Sequence, residues 1–355
     1  MATPAQRTNP WILDEWYDQA VAGTQGDYQG AKEIWVWGNP NEGALGLNDQ
    51  VARSSPCQLP AGPGTNQWTS FVSGWVSDHS GNQTMFAIKN NTELWGWGMN
   101  ERGEIPINTN DSYSSPKQIP GSWDKVYQTK WGGAGFKTDG SLWTWGDNIK
   151  GQLGQGQKPS TVFGYSSPVQ VPGSWSSLRP DSANAMLAFK TDGTLWGWGD
   201  TSYGALGQNT SPQGGTERFS SPVQILGTWS NVGGGGSVLL RKSNGELWVQ
   251  GSNNKGQLGQ NNTIQRSSPV QLGTDTTWTD NVFSNGFMSG GVKTDGTMWI
   301  WGQGDNGSFG LNHRETIAPG VDYVSSPVQL PGSWPGVLNG SIAQGSYTTY
   351  FMKNL

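Results

Sequence analysis

The sequence predicts an all-β fold, a six-bladed β-propeller of four-stranded blades with a short helical N-terminal arm. A Trp-x-Trp-Gly core recurs six times, with its leading tryptophans 60, 48, 53, 52 and 51 residues apart. Turn and loop signals recur in the same order around each copy. A fixed period of about fifty residues with repeated turns and aromatics is typical of a repeat architecture. The six copies, numbered here as repeats one to six, begin at Trp35, Trp95, Trp143, Trp196, Trp248 (as Trp-Val-Gln-Gly) and Trp299.

Residues 1–31 do not match the repeat and are predicted to form the arm. Asn9 suits a helix N-cap, Pro10 suits the first helical position, and Gly23 can end the helix. The arm docks either on the flank of its own propeller or on another protein. We therefore divide the chain into an arm, residues 1–31, and a propeller, residues 32–355. The apolar side chains of the arm are Trp11, Ile12, Leu13, Trp16 and Tyr17.

Each repeat carries the signals of about four short strands, as a propeller blade requires. In Lys190–Gly199, Asp192-Gly193 is predicted to form a two-residue turn between two strands. A Gly-x-Leu-Gly loop follows Trp-x-Trp-Gly, and a variable loop leads to the strand Ser-Ser-Pro-x-Gln. A turn containing a further tryptophan and a Gly-rich strand then lead into the next repeat.

The two ends of the propeller segment are predicted to complete one blade. Residues 350–355 are in phase with Leu187–Asp192, and the strand that should follow them is supplied by Ile34–Gly38. We expect the C-terminal strand to pair antiparallel with residues near 34–37. Such a pairing closes the ring and leaves no free sheet edge.

Composition makes nucleic acid and membrane partners improbable. Charged residues are only 13% of the chain, about half the usual 25%. The net charge is −5 and the pI is near 5.1, so no basic patch is available for a phosphate backbone. Neither a secretory signal nor an apolar membrane span is found, and we expect a soluble protein synthesised in the cytoplasm. The lone Cys57 excludes an internal disulfide.

Most of the 21 tryptophans are predicted to be structural. Eleven belong to the Trp-x-Trp-Gly copies, with Gln250 in place of the twelfth, and six follow the Gly-containing turns. Large aromatic side chains dominate core burial, so we expect these seventeen to be buried. Four lie outside both motifs, namely Trp11, Trp16, Trp75 and Trp131.

The sequence shows no catalytic, metal or cofactor site. Its two histidines, His79 and His313, lie in different repeats and have no partner at metal-ligand spacing. The repeated Asp139, Asp192 and Asp295 are explained by turn chemistry. We therefore expect a protein that is not an enzyme and that needs no cofactor.

The order Lys-Thr-Asp-Gly, Leu-Trp-x-Trp-Gly, Gly-Gln-Leu-Gly, Ser-Ser-Pro-Val-Gln resembles the regulator of chromosome condensation repeat family, whose members form β-propellers. The resemblance covers residues 32–355. Ser-Ser-Pro-Val-Gln followed by Pro-Gly-Ser-Trp looks most like the versions in bacteriophage virion structural proteins.

The eukaryotic founder of this family is a nucleotide exchange factor for a small GTPase and sits on chromatin through a basic tail. Here the first 33 residues hold only Arg7 and Lys32 as basic residues against five acidic ones. The resemblance therefore implies no chromatin role. We expect neither exchange activity nor appreciable DNA affinity.

The variable loops before Ser-Ser-Pro are longer in repeats three, four and six, and they are candidate contact surfaces. Insertions in repeat proteins collect on one face, which is often the binding face. Aromatics and arginines are enriched at protein interfaces. Together with the apolar side chains of the arm, the predicted partner-binding residues are Phe163, Tyr165, Arg218, Phe219, Arg314 and Tyr323, with His313 beside them.

Three functions fit these features. The first is a non-enzymatic structural or interaction protein of a bacteriophage virion, with the arm attached to other virion proteins and the propeller displayed on or cementing the particle. The second is a glycan-binding, lectin-like propeller for attachment to a host surface, which exposed aromatics in equivalent pockets would favour. The third is a cytosolic regulatory scaffold. The first hypothesis places the protein in the virion.

Overall fold

A computed structural model describes residues 33–60, 68–72, 84–129, 131–157, 164–180, 185–209, 218–234, 236–284, 286–304, 309, 323–334, 337–344 and 349–353. The predicted helical arm lies outside these residues, and it stays a prediction together with the division at residue 31. Within them the chain is almost entirely β-structure, with two 3-10 turns at Asn41–Gly43 and Ser202–Gly204. The chain forms two compact units, one of residues 1–147 and 164–170 and one of residues 148–163 and 171–355.

The first unit contains one two-stranded and two four-stranded sheets, in which each strand is hydrogen-bonded to the next one along the chain. The two-stranded sheet consists of β1 (Trp35–Gly38) and β2 (Arg53–Gln58). The four-stranded sheets are β3 (Trp68–Val72), β4 (Thr84–Lys89), β5 (Glu93–Gly98), β6 (Tyr113–Ile119), and β7 (Trp123–Thr129), β8 (Gly132–Lys137), β9 (Leu142–Asp147), β10 (Gly164–Val171).

The second unit contains three four-stranded sheets and one two-stranded sheet, ordered in the same way. The four-stranded sheets are β11 (Trp175–Pro180), β12 (Ala185–Lys190), β13 (Leu195–Asp200), β14 (Arg218–Ile225), then β15 (Asn231–Gly233), β16 (Ser237–Arg241), β17 (Leu247–Gly251), β18 (Arg266–Gln271), then β19 (Trp278–Ser284), β20 (Met288–Lys293), β21 (Met298–Gln303), β22 (Tyr323–Leu330). The two-stranded sheet consists of β23 (Val337–Gln344) and β24 (Thr349–Lys353).

These sheets confirm the predicted order of strands within a repeat. The third strand of each four-stranded sheet carries the Trp-x-Trp-Gly core, or Trp-Val-Gln-Gly in β17, and the fourth carries Ser-Ser-Pro-x-Gln. The two tryptophans of Trp-x-Trp-Gly lie on the same face of the sheet, because side chains two apart in a strand share a face. In β13, for example, Trp198 is fully buried and Trp196 is half-buried.

The hairpin turns differ from the predicted two-residue type. Gly193 has a positive φ of 82° but Asp192 does not, and the Gly193 N–H donates to the Lys190 carbonyl at 3.0 Å. The Lys190 N–H in turn donates to Thr194, which closes a three-residue loop. Asp192 accepts hydrogen bonds from the Thr194 hydroxyl and N–H, and these hold the pKa of the Asp192 carboxyl below its usual range. Of these two residues only the glycine adopts the left-handed conformation, and the aspartate side chain acts as a hydrogen-bond acceptor.

A hydrogen bond joins each repeat to the next within the units, and we call it the inter-repeat hydrogen bond. The donor is the indole N–H of the second tryptophan in Trp-x-Trp-Gly. The acceptor is the backbone carbonyl of the second residue of the Gly-x-Leu-Gly loop in the preceding repeat. In repeat two this loop reads Gly-Glu-Ile-Pro. In repeat five the amide Nε2 of Gln250 takes the place of the indole. The pairs are Trp97–Ala44 at 3.0 Å, Trp145–Glu104, Trp198–Gln152 and Trp301–Gln257 at 2.9 Å, and Gln250–Ala205 at 2.7 Å.

The same loop touches the next repeat at a second point. A Cβ added to Gly103 would lie 2.7 Å from the Cα of Ser166, and one added to Gly204 would lie 2.6 Å from that of Ser267. Real Cβ atoms do not approach this closely, so the first glycine of the loop is needed for contact as well as for its positive φ. Two residues after each of these loops, an N–H donates to the same serine, as Asn108 does to Ser166 at 2.6 Å.

The tryptophans predicted to be structural are buried or half-buried, except for Trp37. The second tryptophans Trp97, Trp145, Trp198 and Trp301 are fully buried, and the turn tryptophans from Trp68 to Trp278 are less than 9% exposed. The two kinds meet at ring-centroid distances of 5.4 to 6.0 Å. Trp37 in repeat one is 61% exposed.

The first tryptophans are half-buried, and a lysine covers each from repeat two to repeat six. The lysine belongs to the hairpin, and it lies between the first tryptophan and the turn tryptophan of the same sheet. Lys190, for example, is 3.6 Å from the ring centroid of Trp196 and 5.4 Å from that of Trp175. A cation over an indole face contributes about 0.5 to 1 kcal/mol at partly exposed sites. The equivalent lysines are Lys89, Lys137, Lys242 and Lys293.

We expect Trp198→Ala to destabilise the protein by about 3 to 5 kcal/mol, because it removes a fully buried indole and the inter-repeat hydrogen bond. Trp198→Phe keeps much of the ring volume but loses the donor, and should cost less. Leu226→Ala is the control, since Leu226 is 78% exposed and should change stability by no more than about 0.5 kcal/mol. Urea unfolding measures all three, and equal stability of Trp198→Ala and Leu226→Ala would contradict the assignment.

Ring closure stays a prediction. The two two-stranded sheets together have the four strands that one blade requires. By the strand order of a repeat, β23 and β24 correspond to the first two strands and β1 and β2 to the last two. If β24 pairs with β1, deleting residues 351–355 should lower the melting temperature markedly, whereas deleting residues 1–31 should not. Equal melting temperatures of the full chain and the C-terminal deletion would contradict closure.

Candidate interaction surface

The residues that vary between repeats gather at one end of each sheet, which we call its loop edge. At the loop edge the third strand stops after Trp-Gly and the fourth strand starts before Ser-Ser-Pro. The Gly-x-Leu-Gly loop and the variable loop lie between these two points. The side chains at the loop edge therefore differ between repeats, whereas the Trp-x-Trp-Gly and Ser-Ser-Pro strands recur.

In the first unit the loop edge carries a group centred on Arg102. Its guanidinium lies 4.3 Å from the ring centroid of Trp131 and 3.7 Å from a carboxylate oxygen of Asp147. The Asp147 side chain is buried, whereas that of Arg102 is 42% exposed. The carboxylate and the indole hold the arginine at the surface in one place.

In the second unit the loop edge carries a group that we call the Ile149 cluster, consisting of Ile149, Lys150, Asp200 and Arg218. Lys150 Nζ is 3.0 Å from the carboxylate of the nearly buried Asp200. Arg218 lies opposite Asp200 in the β13–β14 ladder and donates from Nη1 to the Ile149 carbonyl at 2.6 Å. The ion pair and this hydrogen bond fix a segment whose Ile149 side chain is exposed.

Other large apolar side chains are exposed near the loop edges of the second unit. Tyr203 lies in a 3-10 turn with a φ of 68°, an unusual conformation for a tyrosine. Phe287 precedes β20, and its carbonyl accepts the N–H of Gln303 at the end of β21. The exposed residues are Tyr203, Ile264 and Phe287, at 43%, 58% and 56%.

The structure describes four of the predicted contact residues, and it exposes one of them. Arg218 is exposed and belongs to the Ile149 cluster. Tyr165 and Tyr323 are half-buried, and Phe219 packs against the core of its sheet. Phe163, Arg314, His313 and the apolar residues of the arm lie outside the described residues, and their roles stay predictions.

Sequence reasoning missed Ile149, Lys150 and Arg102. Residues 102 and 150 directly precede the first glycine of their loops, a position that holds Glu42 in repeat one and Tyr203 in repeat four. This variation beside a repeated glycine was the available signal. Trp131 carried a signal as well, because it lies outside both tryptophan motifs.

A cleft of about 360 Å³ opens beside β1 in the first unit, lined among others by Trp37, Phe71, Met85 and Trp97. Within the described ranges, no three His, Cys, Asp or Glu side chains are grouped closely enough to hold a metal ion. The helical segments described here are all too short or too polar to cross a membrane.

Comparison with known proteins identifies the repeat. The sequence pattern of the regulator of chromosome condensation (RCC1) repeat matches residues 139–178 and 244–284. These two segments of the chain are similar to RCC1 repeats. Each matched segment starts at the hairpin turn of one sheet and ends in the first strand of the next, so it includes a whole Trp-x-Trp-Gly strand, its loop edge and a Ser-Ser-Pro strand.

The similar proteins contain RCC1-type propellers. The chain is 26% identical to the ultraviolet-B receptor UVR8 of Arabidopsis thaliana over 81% of this chain and 64% of that protein. It is 24% identical to the human E3 ubiquitin-protein ligase HERC2 over 82% of this chain and 6% of the ligase. The chain therefore spans less than two thirds of the length of these relatives.

A solved structure agrees with this. The crystal structure of Prp20p from Saccharomyces cerevisiae, described with its binding to Gsp1p and histones, superposes with a TM-score of 0.64 at 16% identity. The superposition covers 84% of this chain and 73% of Prp20p. At this identity the likeness shows the fold alone, which is the β-propeller that the RCC1 repeats predict.

Proposed function

We propose that this chain is a non-enzymatic protein-interaction module, and that the Ile149 cluster contacts its partner protein. The observation that carries this proposal is an exposed isoleucine backed by an arginine and a lysine that are themselves fixed by an ion pair and a hydrogen bond. Binding costs less when the contact residues are already ordered. Arginines and large apolar residues are also the side chains that contribute most at interfaces.

The repeated residues are less suitable as a contact surface. In repeats two to six the tryptophans of the Trp-x-Trp-Gly strands are buried or covered by lysines, and the first glycines of the loops pack on the following repeat. Their functions are therefore structural. The Ile149 cluster differs from its counterparts in the other repeats, as a site specific for one partner requires.

The partner that fits this site presents an apolar side chain next to a carboxylate. Ile149 supplies the apolar contact, and Arg218 supplies a guanidinium whose geometry matches a carboxylate. The net charge of −5 disfavours a broadly acidic partner at long range. Recognition therefore depends on this local pair of residues.

Site-specific photo-crosslinking tests this proposal in the cells or particles that contain the protein. Benzoylphenylalanine in place of Ile149 should give a discrete adduct with one partner, and Arg218→Glu in the same chain should abolish it. Benzoylphenylalanine in place of Leu226 is the matched control, because Leu226 is an exposed apolar residue just after the other end of β14. The same adduct from both positions, or none from residue 149, would overturn the proposal.

We propose a bacteriophage virion as the assembly in which this module acts, with the arm as its attachment device. The support is the wording Ser-Ser-Pro-Val-Gln followed by Pro-Gly-Ser-Trp and the five apolar residues of the arm between 11 and 17. The relatives named above are eukaryotic and do not bear on this point. Burial of a large apolar side chain contributes about 1.5 to 3 kcal/mol, so a few such contacts can anchor an arm.

Deleting residues 1–31 should remove the protein from purified particles while the propeller stays folded. Quantitative mass spectrometry of the particles measures the copy number, and circular dichroism of the isolated deletion variant checks its folding. A folded deletion variant that assembles at the normal copy number would show that attachment lies in the blades. A full-length protein that is absent from particles would contradict the virion assignment itself.

A regulatory scaffold is the second candidate, and the relatives favour it. A receptor and a ubiquitin ligase are among them, and both are named for regulatory roles. The photo-crosslinking experiment separates the two candidates, because the adduct identifies the partner as a virion protein or a cellular one. The glycan-binding alternative required repeated exposed aromatics, whereas the tryptophans of the Trp-x-Trp-Gly strands in repeats two to six are buried or covered by lysines and only Trp37 of repeat one is exposed among those described.

A further inference from the structure

We propose that Glu104 makes the junction between repeats two and three sensitive to pH, because ionisation of its buried side chain destabilises this junction. Glu104 is the second residue of the loop Gly103-Glu104-Ile105-Pro106. Its backbone carbonyl accepts the inter-repeat hydrogen bond from Trp145 at 2.9 Å. The residue that titrates is therefore the residue that holds the next repeat.

The Glu104 carboxyl is buried and only half satisfied. The residue is 2% exposed. Its Oε2 accepts the backbone N–H of Arg102 at 2.8 Å, whereas its Oε1 has no hydrogen-bond partner among the described residues. An ionised carboxylate in such a place loses its hydration without gaining enough donors, which is costly.

Two other repeats place a glutamine at this position, whereas repeats one and four place Ala44 and Ala205 there. Gln152 and Gln257 occupy it in repeats three and five, and each accepts the equivalent backbone N–H at 2.8 and 2.7 Å. The second polar atom of Gln257, its Nε2, is a donor. It lies 3.2 Å from Ser252 Oγ, 3.1 Å from Asn254 Oδ1 and 3.1 Å from the Gly286 carbonyl.

A carboxylic acid can reproduce this pattern and a carboxylate cannot. The protonated acid has one oxygen that accepts and one hydroxyl that donates, as the glutamine amide does. The carboxylate has only acceptors, so one oxygen would occupy the position at which repeat five places an N–H donor.

The charged groups that face this carboxyl are Arg102, Glu101 and, through its contact with Arg102, Asp147. Burial is the largest effect and raises the pKa of Glu104 above its usual range. The backbone N–H groups of Arg102 and Glu104 and the Arg102 guanidinium oppose the rise, and the Glu101 carboxylate adds to it. The Arg102 charge is shared with Asp147, 3.7 Å away, and with the ring of Trp131.

The sign of the pH effect follows from this shift. A carboxyl with a raised pKa binds more protons in the folded state than in the unfolded state, so stability falls as pH rises. The fall begins near the unfolded carboxyl pKa of about 4.3 and is complete above the raised folded value. Folded protein at higher pH therefore carries a strained junction between repeats two and three.

The test compares the full chain with its Glu104→Gln variant, which places in repeat two the side chain of repeats three and five. The melting temperature of Glu104→Gln should match that of the unchanged protein near pH 4 and exceed it by several degrees at pH 8. Gln257→Glu is the reciprocal variant, and its melting temperature should fall relative to the unchanged protein as pH rises. Hydrogen exchange over residues 99–109 should be faster at pH 8 in the unchanged protein than in Glu104→Gln, after correction for intrinsic rates.

A spectroscopic measurement keeps the test decisive if Gln257→Glu fails to fold. In an infrared pH titration of the folded protein, a protonated-carboxyl C=O band that is absent from Glu104→Gln should persist above the pH range in which an ordinary glutamate ionises. A melting-temperature difference between Glu104→Gln and the unchanged protein that stays constant from pH 4 to pH 8 would overturn the proposal. Identical carboxyl titrations of the unchanged protein and Glu104→Gln would overturn it as well.

Discussion

The inter-repeat hydrogen bond is the constraint on which the rest of the structure depends. Its acceptor is a buried loop carbonyl, and a buried carbonyl requires a donor from within the protein. A strand side chain of the next repeat supplies that donor, and the indole also fills the space between them. The loop must therefore approach closely, which explains its glycines, and the tryptophan must point inward, which explains the alternation of Trp-x-Trp. The fifty-residue period is the distance along the chain between one donor and the next.

Sequence reasoning predicted the strands and the buried tryptophans, because both depend on local patterns that recur. It did not predict the turn geometry. Asp192-Gly193 suits two turn types, and the hydrogen bond from the Thr194 hydroxyl to the aspartate accompanies the three-residue form. It did not predict the role of Lys190 either, since a lysine before a turn is usually solvated and its contact with two indoles requires the third dimension.

The candidate surface was only partly predictable, because its side chains lie in loops that follow no repeated pattern. Arg218 was identified from the length and composition of its loop, and it is exposed as expected. Ile149 and Lys150 lie in a short segment beside a repeated glycine, where a single sequence cannot show which side chains face solvent. Phe219 is half-buried and packs against the core cluster of its sheet, and its predicted contact role stays a prediction. The repeated residues hold the fold, so recognition depends on the positions that differ.

Gln250 shows what happens where a repeat lacks the second indole. Its amide reaches the Ala205 carbonyl, but its Oε1 is buried without a hydrogen bond among the described residues. The turn tryptophan Trp229 pairs with the first tryptophan, Trp248, rather than with a second one. In a repeat protein each unit is stabilised mainly by its neighbours, so one weak boundary divides the chain into cooperative blocks. Sub-global opening should therefore begin between repeats four and five, with the segments on either side still protected from exchange and proteolysis.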